Sequence, residues 1–169
     1  YKGDQRFAYD CGLVLEGAEA STFASQVDAL LKEHAAEAGA RSVRPPPYVD
    51  HTDRDGNVIP GAVRFKFKVP AEIQTKRGPW VRKPKIADSL GKLVDTEGLT
   101  IGTGTEARIA FTVYLTQGGG QAGLRLEPVG VQIRKLVEAF QPSDEVTFEA
   151  MDDGFAADEP GSFEEEGEV

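Results

Sequence analysis

The sequence of 169 residues contains one cysteine, Cys11, and two histidines, and it has no apolar run as long as a membrane span. A single cysteine excludes an internal disulfide and fits a protein of a reducing cytoplasm. A transmembrane helix needs about 20 consecutive apolar residues, so a membrane-spanning protein is not expected. A secretory signal peptide is not expected either.

Residues suited to catalysis or metal binding are also scarce. His34 and His51 lie in unrelated sequence contexts, no cysteine and histidine stand at zinc-ligand spacing, and there is no HExxH pattern. A nuclease needs several acids near its basic surface, and the basic part of the chain contains only Glu72 and Asp88. We therefore expect no metal, no cofactor and no enzymatic activity.

Charge is divided unevenly along the chain, although the whole sequence carries a net charge of -9. Residues 142–169 contain 11 acids and no Lys or Arg, whereas residues 1–141 contain 19 bases and 17 acids, a net charge of +2. Residues 64–92 contain nine bases and two acids, a net charge of +7. This division predicts a folded domain over residues 1–141 and a disordered acidic tail over residues 142–169.

Residues 63–69 alternate strictly between apolar and cationic side chains. Successive side chains of a strand point to opposite faces, so the two sets separate. The apolar face carries Val63, Phe65, Phe67 and Val69, and the other face carries Arg64, Lys66 and Lys68. We expect Phe65 and Phe67 in the core, with a place in a binding groove as the alternative. The cationic stripe suits a polyanion, although alone it is more typical of a solvated sheet face.

The remaining patterns predict mainly strands. Strands are expected over residues 9–16, 80–86, 107–116 and 124–133, with residues 80–86 at an edge because Pro84 cannot donate to a ladder and with Pro128 at an edge or bulge. A helix is expected over residues 21–37, with Ser21 as N-cap and Gly39 at its end. A hairpin turn is expected to end at residues 55–57.

These elements predict a mainly β fold, a five-stranded oligonucleotide-binding (OB) type barrel with one packed α-helix. An open α+β sheet is the competing architecture. The barrel is favoured because a small closed or nearly closed sheet buries a helix stripe and several apolar strand faces together.

Aromatic residues lie close to the central cations. Trp80, the only tryptophan, lies among four cations, and Tyr114, Trp80 and Tyr48 are the aromatics expected at the surface. Cations follow a phosphate backbone, and aromatic rings stack on unpaired bases without selecting a sequence. The predicted DNA contacts are Arg64, Lys66, Lys68, Lys76, Arg77, Trp80, Arg82, Lys83, Lys85 and Tyr114.

The acidic tail is most simply a solubility segment. Beside a basic surface, it is also a tethered competitor that occupies the DNA site until DNA displaces it. Phenylalanines between its acids suit contacts with partner proteins. The predicted partner-binding residues of the tail are Asp152, Asp153, Phe155, Phe163, Glu164, Glu165 and Glu166.

The order of several short motifs resembles the single-stranded-DNA-binding proteins of short-tailed coliphages. An Asp-Gly turn precedes the alternating run, and a strand with Tyr114 and an acidic tail follow later. The matching segments are Asp55-Gly56, Phe65-Lys66-Phe67-Lys68, Asp88-x-x-Gly91, Ile101-Gly102-x-Gly104 and Gly123-Leu124-x-Leu126-x-x-Val129.

This resemblance implies an OB fold, no catalysis, and cooperative or homodimeric binding of single-stranded DNA in the host cytoplasm. It also implies a tail that contacts phage replication proteins such as a polymerase, helicase or nuclease. Tyr114 matches a family aromatic that stacks on DNA, whereas Thr116 stands where the family has a second aromatic. The competing hypothesis is a non-catalytic scaffold protein that acts through its acidic tail.

Overall fold

The computed structural model describes residues 8–97 and 99–139. They form one α-helix and nine β-strands. The acidic tail over residues 142–169, with the disorder and the partner contacts predicted for it, lies outside the described residues. The helix α1 spans Gly17–Glu37. The strands are β1 (Ala8–Glu16), β2 (Ser42–Val43), β3 (Tyr48–Thr52), β4 (Val58–Pro70), β5 (Glu72–Thr75), β6 (Gly78–Val81), β7 (Lys85–Ala87), β8 (Glu106–Gly118) and β9 (Gln121–Lys135).

The two long strands β4 and β9 organise the sheet. β4 pairs antiparallel with β1 and β3, and β9 pairs antiparallel with β8 along most of its length. The opposite edge of β9 pairs in parallel with β2, β4 and β7 in turn. Within the described part of the chain no ladder joins β1 to β8, so the sheet is open there, and β5 and β6 form a separate hairpin. The predicted mainly β fold with one helix is confirmed.

Helix α1 begins before its predicted start. Ser21, the predicted N-cap, lies inside the helix, where its Oγ donates to the carbonyl of Ala18 at 3.1 Å, so that prediction is wrong. The N-cap is Glu16, the last residue of β1, and Gly17 follows with φ of 59°. Because glycine tolerates positive φ, the chain turns from strand into helix without a loop. The helix ends as predicted, with Gly39 just beyond it.

The core lies between the sheet and α1. Phe65 and Phe67 are 0% exposed, which confirms their predicted place in the core. The ring of Phe67 meets that of Phe111 edge-on, with centroids 5.3 Å apart. The buried cluster consists of Val27, Leu31, Phe65, Phe67, Leu124 and Leu126.

The single edge strand predicted over residues 80–86 is wrong. β6 ends at Val81 in the hairpin with β5, and β7 begins at Lys85 in parallel with β9. Pro84 lies between them, and proline lacks an N–H and restricts the residue before it. The chain therefore leaves the hairpin and joins a different sheet within three residues.

Two predicted irregularities between strands are confirmed. The Asp53 carboxylate closes the turn between β3 and β4 by accepting the backbone N–H groups of Asp55 at 2.9 Å and Asn57 at 2.8 Å. The register of β8 against β9 shifts between Pro128 and Gly130, so Pro128 adjoins a bulge. Both features follow from local chemistry, an aspartate turn and a proline without a donor.

Candidate nucleic-acid interface

The cationic stripe of β4 lies on the face of the sheet opposite the core, here called the outer face. Arg64, Lys66 and Lys68 are exposed, while the two phenylalanines between them are buried. Arg64 extends over β1, where a Cβ added to Gly12 would collide with its guanidinium. Lys68 lies directly opposite Asp10 of β1.

One parallel pair, Phe67 with Leu126, brings β9 beside this stripe. Side chains alternate along a strand, so the residues that flank the pair on both strands point to the outer face. These residues are Lys66 and Lys68 on β4, and Arg125 and Glu127 on β9. The two long strands therefore contribute charged side chains to the same surface.

Glu127 joins two arginines on this surface. Its side chain is buried, with the residue 1% exposed. Arg82 donates from Nη2 to Oε2 at 2.6 Å, and Arg125 donates to Oε1 from Nε at 2.9 Å and also from Nη2. A buried carboxylate needs such partners because an unpaired charge is costly to desolvate. The ion pair thus holds Arg82, which follows β6, against the distant strand β9.

Each of these arginines also covers an aromatic ring. The Cζ atom of Arg82 lies 5.1 Å from the ring centroid of Trp80, and that of Arg125 lies 4.9 Å from the centroid of Tyr114. A guanidinium over a ring is attracted to its π face. Trp80 is still 57% exposed and Tyr114 51% exposed. We call these five residues, Trp80, Arg82, Glu127, Arg125 and Tyr114, the Glu127 network.

Sequence reasoning missed Arg125 and Glu127. The available signal was the alternation Leu-Arg-Leu-Glu over residues 124–127. It places both charged residues on one face of the strand and the two buried leucines on the other face. No local pattern indicated that Glu127 would meet Arg82. That contact depends on where the hairpin β5–β6 ends, and the backbone N–H of Arg82 fixes that end by donating to the carbonyl of Ala71 at 2.8 Å.

Arg44 is a further cation that sequence reasoning missed. A Cβ added to Gly123 would lie 3.0 Å from Cδ of Arg44 and 2.6 Å from Oγ1 of Thr116. Gly123 pairs with Thr116 directly, one alternation beyond Tyr114 on the same face of β8. The side chain of Arg44 therefore lies beside Thr116 on the outer face.

Lys85 points to the outer face from β7. It pairs with Gly130, and the next residue, Ile86, pairs with Val131 opposite Ile109. Ile109 packs against the core. Because neighbouring residues of a strand alternate, Lys85 points away from the core.

Besides Arg82, three of the predicted cations lie outside the strands, on exposed connections. Lys76 and Arg77 form the tip of the hairpin that carries Trp80, where the Arg77 N–H donates to Oγ1 of Thr75 at 3.2 Å. Lys83 is exposed in the connection between β6 and β7. The structure thus brings Arg64, Lys66, Lys68, Arg82 and Lys85 to the outer face and places Lys76, Arg77 and Lys83 on exposed turns.

Tyr48 is half-buried and packs on the core side of the sheet, so it reaches the surface there and not on the outer face. Its ring packs on that of Phe65, with centroids 5.4 Å apart, and its hydroxyl donates to the Asp28 carboxylate at 2.8 Å. Desolvation, reinforced by Asp28, raises the pKa of Tyr48 to about 12. The phenol therefore stays protonated at neutral pH and ties β3 to α1.

Over residues 8–97 and 99–139, no three His, Cys, Asp or Glu side chains are grouped so that they would hold a metal ion. In the same part of the chain, the helix is not long and apolar enough to cross a membrane. Where β4 and β9 meet, the outer face carries cations, the shared carboxylate of Glu127 and two exposed rings, with Asp10 of β1 opposite Lys68.

Two phage proteins are among the solved structures of similar fold. Bacteriophage T7 gp2.5, a single-stranded DNA binding protein, superposes with a TM-score of 0.62 at 19% identity over 88% of this chain and 85% of its own. The C-terminally truncated single-stranded DNA-binding protein of bacteriophage Enc34 superposes with a TM-score of 0.53 at 10% identity over 82% and 76%. The chain has the fold of these phage proteins.

The resemblance expected from the order of motifs is thus confirmed at the level of the fold. The sequence itself matches no protein-family model and no curated protein. The low sequence identities and the absence of a sequence match both agree with a fold that is shared while most side chains differ. What this chain does must therefore be argued from its own outer face.

Proposed function

We propose that this chain binds single-stranded DNA without sequence specificity and catalyses no reaction on it. The observation that carries the proposal is the Glu127 network, in which two exposed rings are held by arginines on a cationic sheet face. Rings of this kind stack on any unpaired base, and the surrounding cations neutralise phosphates. Both structural neighbours are phage single-stranded-DNA-binding proteins, which supports the same function.

The proposed DNA contacts extend those of the network. They include the stripe of β4, the exposed turns beside Trp80, and the arginine over Gly123. Together they are Arg44, Arg64, Lys66, Lys68, Lys76, Arg77, Trp80, Arg82, Lys83, Lys85, Tyr114 and Arg125.

Unpaired rather than duplex DNA is the substrate that suits this surface. Stacking requires bases that are free of a helical stack. Duplex readers commonly place a helix in the major groove, but α1 carries Asp28, Glu33 and Glu37, which would repel the phosphates. The helix packs on the sheet instead, through its buried residues Val27 and Leu31.

We place the protein in phage DNA replication or recombination in the host cytoplasm, with residues 1–141 as the DNA-binding domain. The acidic segment 142–169 competes with DNA for the cationic face and, once displaced, contacts a polymerase, helicase or nuclease. Its 11 acids without any Lys or Arg suit both roles. Binding of a second copy of the chain stays a prediction of the family resemblance.

A salt titration tests DNA binding by this surface. We expect the affinity for a short oligothymidylate to fall steeply as salt rises, since each neutralised phosphate adds about 0.7 to the slope of log K against log salt. Changing Lys66 and Lys68 to Gln should lower this slope by about 1.4 and weaken binding about tenfold at 200 mM salt. Fluorescence anisotropy of a labelled oligonucleotide measures both quantities.

Two comparisons make the titration decisive. Duplex DNA of the same length should bind more weakly, and changing Lys32 to Gln on α1 should leave the slope unchanged. A flat salt response of the unaltered protein contradicts the proposal. It would favour the scaffold hypothesis, in which the acidic tail alone acts.

Removal of residues 142–169 tests the competitor role of the tail. We expect about tenfold tighter binding of the oligonucleotide at 50 mM salt, because a tethered polyanion competes at high effective concentration. The gain should vanish at high salt, where charge attraction is screened. A tail of equal length made of Gly and Ser is the control and should bind like the truncated chain. Equal affinity with and without the acidic segment would rule out competition.

A further inference from the structure

The most unusual group on the outer face is the carboxylate of Glu127. It carries the same sign as DNA phosphates, yet it lies buried beneath a surface that we propose for DNA. Its two oxygens are divided between two arginines, Oε2 to Arg82 and Oε1 to Arg125. Each of those arginines lies over one of the two exposed rings.

Resting on the proposed function, we propose that Glu127 is the positioning residue that makes Trp80 and Tyr114 one site for two bases of the same DNA strand. The two rings come from different sheets, the β5–β6 hairpin and the β8–β9 pair. The shared carboxylate fixes the guanidinium over each ring. Its negative charge lowers the net attraction for phosphate, and in exchange both rings are ordered before DNA arrives.

An arginine over each ring also determines where the base stacks. The guanidinium occupies one face of the indole and one face of the phenol ring. Each ring therefore presents a single free face to a base. A flexible single strand can place two bases on such one-sided platforms, whereas paired bases in a duplex cannot leave their stack.

A glutamine at position 127 cannot replace the carboxylate. An amide has one acceptor oxygen and one NH2 donor, and arginine offers only donors. The amide would keep one arginine and repel the other, so one ring or both would lose their support. The Glu127→Gln change keeps nearly the same side-chain shape but removes both the negative charge and one of the two contacts. A second variant that removes only a charge then separates positioning from charge.

The test compares Glu127→Gln with Asp10→Asn. Each change removes one negative charge, and Asp10 lies opposite Lys68 on the outer face without touching the network. If charge alone matters, both variants bind a short oligothymidylate more tightly. We expect Asp10→Asn to bind more tightly and Glu127→Gln to bind about tenfold more weakly, the loss of one stacked base. We also expect less quenching of the only tryptophan, Trp80, on binding.

A second variant keeps the proposal testable if Glu127→Gln does not fold. The Arg125 side chain is 36% exposed, so Arg125→Lys preserves the charge at a site that tolerates change. Lysine lacks the planar fork that spans carboxylate and ring. We expect Arg125→Lys to lose about as much affinity as Tyr114→Ala, about tenfold, and the double variant to lose no more than Tyr114→Ala alone.

The outcomes distinguish this inference from the proposed function. If the unaltered protein does not bind single-stranded DNA, both the proposed function and the positioning role of Glu127 are contradicted. Tighter binding by Glu127→Gln, or unchanged binding by Arg125→Lys, would overturn only the positioning role and leave a surface that binds DNA by charge and independent rings.

Discussion

Replacing Trp80 and Tyr114 together by alanine is expected to weaken binding of a short oligothymidylate about 100- to 1,000-fold. Stacking of one base on an aromatic ring contributes about 1–3 kcal/mol. Both rings are more than half exposed and are supported from one side by an arginine, so both lose a stacked base when truncated. Competition measured by fluorescence anisotropy at constant salt gives the affinity.

The salt dependence of the same variant should change little. Neither ring carries a charge, so no phosphate contact is removed and the slope of log K against log salt is preserved. A large loss of affinity with an unchanged slope is the signature of stacking. A loss with a much lower slope would instead indicate that the cationic surface had collapsed.

Val81 and Val113 provide the matched control. Each adjoins one of the two aromatics in the same strand but points to the opposite face, and they are 66% and 40% exposed. The double change to alanine should leave DNA affinity within about twofold, since it truncates exposed apolar side chains away from the outer face. Equal losses in the two double variants would contradict the assignment of the rings to the DNA site.

Changing Phe67 to alanine is expected to lower the free energy of unfolding by about 3–5 kcal/mol. The side chain is 0% exposed, packs edge-on against Phe111 and lies opposite Leu126 at the single pair that joins β4 to β9. A cavity there removes contacts between the two central strands. Urea unfolding followed by far-UV circular dichroism measures the change. A variant without a cooperative unfolding transition would also show that the change destabilises the fold.

Lys68 is the control for this stability prediction. It follows Phe67 on the same strand but points to the outer face. Its change to alanine should alter the free energy of unfolding by less than about 0.5 kcal/mol, as for other exposed positions. A Phe67→Ala variant as stable as Lys68→Ala would show that the core does not depend on this ring. The two variants should also separate in binding, because only the lysine lies on the cationic face.

Predictions from the sequence succeeded where the signal was local. The alternation over residues 63–69 indicated a strand, and it also indicated which residues are buried, because backbone geometry sends neighbours to opposite faces. Asp53 in the turn and Pro128 at the bulge are local in the same sense, since each acts on backbone groups within a few residues. The mainly β fold with one packed helix follows from adding such segments.

The error over residues 80–86 arises from contacts between distant segments. Residues 80–86 have the composition of one strand, but the chain divides at Pro84 because β6 pairs with β5 while β7 pairs with β9. The place of Tyr48 beside α1, where its hydroxyl donates to Asp28, likewise could not be read from its neighbours in sequence. The early start of the helix has a local cause instead, since Gly17 with φ of 59° turns the chain directly from β1 into α1.

The sequence by itself determined the faces of β4, the cationic centre and the kind of polymer that such a surface attracts. Those properties depend on side-chain order and charge, which are read within a few residues. Only the tertiary structure shows that Trp80 and Tyr114 are linked, because Glu127 meets Arg82 and Arg125, each of which lies over one of the rings. The physical reason is that the Arg82–Glu127 ion pair joins segments far apart in sequence and forms only when the residue after the hairpin lies against β9, whereas the Arg125–Glu127 pair lies within β9.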